Sequence, residues 1–333
     1  MDASKAAKNA LENVLEASSG EKILVVCDEE KTGIGEAFAT GGLALDLWTR
    51  LVILQKQQGP RTDIPAHLQK ILAKKADIYI NVLNGNREET PFRIKLIKTE
   101  TCDHESRLGH CPGVTLDMLT EGALALTPEE HKRMQNQAEK LMCALEDTVT
   151  VEICNPSGTN LRLSTHDRKF FTDTKLDWNT MKWMNLPTGE VIVAPVEDSL
   201  NGKLVCDMAV GGIGKLRKPI EVTAKNGKIE NVHSQDKEHL CRIKETFATD
   251  KWADVVGEFA FGINPKAKFV PDFLEAEKML GTVHVAFGAN TDMPGGKNTP
   301  KNHIDMQISE PTVTVTKQNK ETVTILKKGY FQI

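Results

Sequence analysis

The chain has 333 residues, longer than one hydrophobic core usually serves, so two domains are expected. Its 40% apolar and 26% charged residues are ordinary for a globular protein, and a net charge of −4 without long basic blocks argues against nucleic-acid or anionic-membrane binding. No apolar run approaches the roughly 20 residues that cross a bilayer, and the opening Met1–Lys5 leads into a polar amphipathic stretch rather than a signal peptide, so a cytoplasmic protein is expected.

Ala, Leu and Val recur at helical spacing over residues 3–18, with Ser18-Ser19-Gly20 as the stop. Lys22–Cys27 is a continuous apolar run, the pattern of a strand buried on both faces of a parallel sheet. A turn over Asp28–Gly35 leads into a helix across 35–46, and Arg50–Leu54 reads as the next strand. A helix over 64–75 has Pro65 in its first turn, and Asp77–Val82 reads as a third strand. Strands at even intervals with helices between them predict βαβ units and a parallel sheet. Thr127-Pro128-Glu129-Glu130 resembles a capping box opening a helix that runs to Leu145.

The texture changes near Asp147. Thr148–Ile153, Asn160–Ser164, Glu190–Ala194, Lys203–Asp207, Ile220–Thr223 and Lys228–Val232 read as short strands, the last two joined by an Asn226-Gly227 hairpin turn. Helices are expected only over 236–247 and 271–279. The fold class predicted is an α/β domain with a parallel sheet over 1–146, then a β-rich α+β domain over 147–333 that carries the metal site.

The seven cysteines, Cys27, Cys102, Cys111, Cys143, Cys154, Cys206 and Cys241, include no CxxC pair, which points to reduced thiols. Cys27, Cys154 and Cys206 sit in strand-like runs and are expected to be buried. Cys102 and Cys111 flank Asp103-His104 and His110, a set whose spacing fits no common zinc finger. Gly33-Ile34-Gly35 lacks the third glycine of a dinucleotide fingerprint, and Gly211-Gly212-Ile213-Gly214 reads as a tight turn. Trp178 and Trp183 flank the approach to Glu190; packing in a core is the expected role, lining a pocket the alternative.

The chemistry concentrates late in the chain. His303 and Asp305 are two apart, so in a strand an imidazole and a carboxylate emerge on one face, about 6–7 Å apart at Cα. His284 lies within the apolar run Thr282–Phe287. Glu190 opens an apolar strand after a Pro/Gly turn, and Glu258 sits inside the apolar run Val255–Gly262, where an acid needs a partner or a metal. Two imidazoles and three carboxylates suit two divalent ions about 3.5–4 Å apart with one bridging carboxylate. His284, His303 and Asp305 alone suit a single Fe(II).

The ordered pattern Asn185-Leu186-Pro187-Thr188-Gly189-Glu190-Val191, Gly257-Glu258, Gly281-Thr282-Val283-His284-Val285-Ala286-Phe287-Gly288 and Asn302-His303-Ile304-Asp305 resembles the aminopeptidase T / aminopeptidase S family of thermophilic metallopeptidases. The resemblance implies a cytoplasmic homodimer that removes N-terminal residues from small peptides with a metal-activated water. It implies two ions, of Zn, Co or Mn, held by Glu190, Glu258, His284, His303 and Asp305, with Glu190 or Glu258 as proton shuttle. Where the family has a tyrosine seven residues after the first histidine, this chain has Thr291. The same superfamily includes 2,5-dihydroxypyridine 5,6-dioxygenase-like proteins, so an Fe(II) ring-cleaving dioxygenase is the alternative, with His110 as a candidate base. A catalytically silent metal-binding relative is the third possibility.

Overall fold

The computed structural model describes residues 1–102, 105–178, 182–270 and 273–333. Asp103 and His104 of the cysteine–histidine cluster lie outside the described residues, as do Pro271 and Asp272 of the expected helix over 271–279, of which Phe273–Ala276 is helical. The chain forms two compact units, Met1–Gln135 with Asp173–Thr188, and Asn136–Thr172 with Gly189–Ile333.

The first unit is built on a parallel sheet, with five strands among the described residues. Their order is Trp48–Leu54, Lys22–Asp28, Ile78–Val82, Arg107–His110 and Trp183–Asn185. The apolar run after Lys22 is explained by its two faces. Ile23, Val25 and Cys27 join one cluster with Ala6, Ala10 and Leu11 of helix Ala3–Asn13 and Phe38 of helix Thr32–Leu43. Leu24 and Val26 join another, with Leu68 and Leu72 of helix Ala66–Leu72 and Phe92 and Leu96 of helix Thr90–Glu100. Helices on both faces bury every residue of this strand after Lys22, so the run shows no alternation. The sequence had no sign of helix Thr90–Glu100, because its buried stripe is Phe92, Leu96 and an acid, Glu100. The capping box at the start of helix Pro128–Ala144 is reciprocal: Glu130 N–H donates to Thr127 Oγ1 at 3.2 Å, and Thr127 N–H to Glu130 Oε2 at 2.8 Å.

The second unit carries two antiparallel sheets. One, of eight strands among the described residues, runs from Lys228–Ser234 through Asn160–Ser164 and Thr148–Cys154 to Tyr330–Phe331. Its hairpin turns at Asn226 and Gly227, both with positive φ, as the Asn-Gly signal requires. The other, of seven strands among the described residues, is ordered Gly214–Lys215, Ala209–Val210, His303–Ile308, Val283–Gly288, Val256–Gly262, Glu190–Val193 and Phe171–Thr172. The Gly211–Gly214 segment turns between the first two, as expected. All seven cysteines are free; Cys27 and Cys206 are buried, whereas Cys154, expected to be buried, is exposed at the end of its alternating strand. Among the described residues no helix is long and apolar enough to cross a membrane.

Glu100 is an acid buried in the first unit, where Asn81 Nδ2 donates to its Oε2 at 2.6 Å. Burial pushes its carboxyl from 4.5 up to about 8. The folded chain therefore holds a proton that the unfolded chain releases. The associated stability is full below about pH 4.5 and falls, by about 1.4 kcal/mol per pH unit, as pH rises toward 8. Glu100→Gln cannot lose that proton, so its stability relative to wild type should rise with pH across this window. Urea denaturation of both proteins at pH 5 and pH 8 checks this; parallel changes would refute it.

Candidate metal centre

Four neighbouring strands of the seven-stranded sheet bring the candidate residues together. Register pairs Asp305 with Ala286 and Ala286 with Glu258; His284 pairs with Gln307 and Ala260; Gly288 pairs with His303; and Glu190 pairs with Gly262. Directly paired residues share a face, so Glu190, Glu258, His284, His303 and Asp305 all project from one side of the sheet. Ala260, Ala286, Gly262 and Gly288 lie between them, small enough to leave the polar groups room to meet. The opposite side is apolar throughout: Val191, Val193, Phe259, Phe261, Val285, Phe287, Ile304 and Met306 are all buried.

Glu258 reaches the polar side through a register shift. Val256 pairs with Phe287, yet Glu258 pairs with Ala286, so Gly257 is the extra residue of a β-bulge. In a regular strand Val256 and Glu258 would share the apolar face. Gly257 also lies against the next strand, where an added Cβ would stand 2.6 Å from the Gly288 carbonyl oxygen.

The donor atoms converge closely. His284 Nε2 lies 3.1 Å from Glu258 Oε1, 3.6 Å from Glu190 Oε1 and 3.8 Å from Asp305 Oδ1. His303 Nε2 lies 3.1 Å from Glu258 Oε2 and 3.0 Å from Asp305 Oδ1. Ligand atoms of Glu258, His284 and Asp305 all fall within 4.8 Å of one another. Donors around a tetrahedral ion with bonds of about 2.0–2.2 Å stand about 3.4 Å apart, so these spacings fit one divalent ion. The His303 ring is aimed by its other nitrogen: Nδ1 donates to the Ala289 carbonyl at 2.8 Å, which leaves Nε2 as the electron-pair donor of the neutral ring. Glu190, Glu258 and His284 are buried, while the His303 side chain is 31% exposed, which opens the cluster to solvent on that side.

The charges respond to this crowding. Burial works against ionising Glu258, but hydrogen bonds from His284 and His303 hold its carboxyl well below the usual range. Burial also works against charging the imidazoles; Glu258 nevertheless raises His284, and Asp305 with Glu258 raises His303 well above 6.5. The same field attracts a metal cation. Two residues absent from the sequence reading join the site. The Lys278 ammonium contacts Glu190 Oε2 and lies 2.9 Å from Glu277 Oε1. Burial pushes Glu277 up to about 8, against the pull of Lys278. Their sequence signal is weak: the Glu277-Lys278 pair follows another acid, Glu275, in the mixed segment Leu274–Leu280. Gln307, also missed, is fully buried and donates from Nε2 to the Ala276 carbonyl.

The remaining candidates are elsewhere. His110 is buried in the parallel sheet of the first unit, not at the surface, and burial with Arg93 nearby pushes it down to about 3. Trp178 stacks under Arg107 and Lys182 and donates to Glu16, and Trp183 packs against the Leu24–Leu108 cluster, all within the first unit. Thr291 is exposed.

Residues 127–331, more than half of the chain, match the family described as thermophilic metalloprotease (M29). Among solved structures, the chain is similar to AmpT from Thermus thermophilus, with a TM-score of 0.72 and 15% identity over 99% of each chain. It is also similar to 2,5-dihydroxypyridine dioxygenase from Pseudomonas putida KT2440, with a TM-score of 0.71 and 16% identity over 99% of this chain and 96% of that one. At these identities the likeness is one of fold. No protein of curated function matches the sequence.

If the bulge positions Glu258, Gly257→Val should destabilise the fold by about 2 kcal/mol or more and remove metal binding. Denaturation and equilibrium dialysis with Zn or Mn measure the two effects. Wild-type metal affinity in the variant would show that the bulge is not what places this carboxylate.

Proposed function

Because the chain belongs to the thermophilic metalloprotease family (M29), we propose that it is a metal-dependent aminopeptidase removing N-terminal residues from small peptides. The observation that carries this reading is the gathering of Glu258, His284 and Asp305 within ligand distance on one sheet face, with His303 against two of them. A divalent ion of the Zn, Mn or Co type held there supplies a polarised carbonyl and a water whose pKa is brought toward neutrality.

The protein's own groups do the rest. Glu258 touches both imidazoles through different oxygens, which suits a ligand that also orients its neighbours. Glu190 turns Oε1 toward the cluster while Lys278 holds Oε2, so Oε1 is placed to take a proton from the attacking water and return it to the leaving amine. A homodimer, as the family resemblance implies, belongs to the same proposal and is read by light scattering.

His284, His303 and Asp305 also make the two-imidazole, one-carboxylate set of Fe(II) oxygenases. Glu258, within 3.1 Å of both imidazoles, is an acid that set does not need, and it favours hydrolysis.

The test is a panel of leucyl peptides. Cleavage should vanish with chelator and return with Co, Zn or Mn, and His303→Ala or Glu258→Gln should lower kcat/KM about 100-fold or more with the fold intact. In parallel the protein receives a dihydroxypyridine or catechol with Fe(II) and dioxygen. Oxygen uptake without peptide cleavage would transfer the assignment to ring cleavage. No reaction in either assay would leave a metal-binding relative without catalysis.

A further inference from the structure

We infer that Lys278 fills the position a second metal ion would take, so that the centre holds one divalent ion per chain. The inference rests on the metal-dependent reading of the centre.

A close pair of ions, about 3.5–4 Å apart, would need a carboxylate beyond the Glu258, His284, His303 and Asp305 group. Glu190 is the candidate closest to His284, and its Oε2 is already in contact with the Lys278 ammonium. That ammonium also lies 2.9 Å from Glu277 Oε1 and is buried, its side chain 3% exposed. An ammonium hydrogen-bonded to an oxygen occupies the region in which an ion would approach that oxygen, and it repels a dication at that distance. Lys278 therefore acts as a tethered cation between two buried acids.

The backbone holds the lysine in this place. Its carbonyl accepts the Asn264 N–H at 2.9 Å, and its N–H donates to the Glu275 carbonyl at 3.1 Å. Gly281 N–H donates to the Gly262 carbonyl at 3.0 Å, tying the segment to the strand that carries Glu258. At Gly262 an added Cβ would stand 2.1 Å from the Met279 carbonyl oxygen and 3.0 Å from that of Glu277. Glycine there lets the lysine-bearing segment lie against the metal-centre strand. The arrangement is thus built into the main chain and does not depend on a mobile surface side chain.

The experiment strips purified full-length protein with chelator and reloads it with Mn(II), reading ions per chain by elemental analysis and Mn–Mn coupling by electron paramagnetic resonance. Wild type should bind one uncoupled ion. Lys278→Met should bind two, because Glu190 and Glu277 then face one another without a cation, and Lys278→Arg should stay at one. Should the methionine variant fail to fold, Lys278→Gln, which keeps a donor but no charge, provides the same readout. Two coupled ions in wild type would overturn the inference while leaving the peptidase reading in place. A folded Lys278→Met or Lys278→Gln that still binds one ion would also overturn it. No bound ion in wild type would overturn the peptidase reading and the inference together.

Discussion

Everything at the candidate metal centre depends on which face of one strand Glu258 occupies. Side chains alternate along a strand, so the parity of pairing decides whether a carboxylate meets imidazoles or phenylalanines. The extra residue at Gly257 changes that parity between Val256 and Glu258. Val256 stays with Phe287 in the apolar layer, and Glu258 crosses to Ala286 and the histidines. The bulge can exist because Gly257 has no Cβ to collide with the neighbouring Gly288 carbonyl.

The gathered charges are costly in themselves. Burying carboxylates, imidazoles and an ammonium sacrifices hydration that mutual attraction repays only with good geometry. Glu258 accomplishes this by meeting both histidines, and Glu190 by meeting Lys278. Such a cluster is weak evidence for stability and stronger evidence for chemistry, since strongly shifted groups in a partly open cluster are where catalysis is arranged. The apolar underside of the sheet carries the stabilising burden instead. There Phe259 meets Phe261 edge-on at 4.9 Å and Phe287 meets Phe247 at 5.5 Å. A rigid apolar layer beneath and a polar layer above make one sheet both scaffold and site.

Legibility in the sequence followed the range of the interaction responsible. The parallel strand at Lys22–Asp28 and the capping box at Thr127 and Glu130 rest on local patterns, and the structure contains both. His303 and Asp305 were readable as a same-face pair because i, i+2 geometry holds in any strand. Lys278 was not readable: its partner Glu190 lies far away in sequence, and a Glu-Lys pair near a turn is ordinarily solvated. The burial expected for Cys154 failed because alternation sends it to the exposed side. The strand Trp183–Asn185 left no trace, since three residues are too few for a periodicity.

The sequence by itself determined the two textures, an α/β unit with parallel strands and a β-rich remainder, because hydrophobic period is a local property of the chain. It also offered five candidate metal ligands, through the His303 and Asp305 spacing, the acids and imidazole set in apolar runs, and the resemblance to a metallopeptidase family. The tertiary structure alone decided that four adjacent strands present all five on one face, that small residues clear the space between them, and that a lysine stands against Glu190. Those outcomes depend on strand order, register and one bulge, and these are settled only when segments distant in the chain compete for the same hydrogen bonds and the same buried volume.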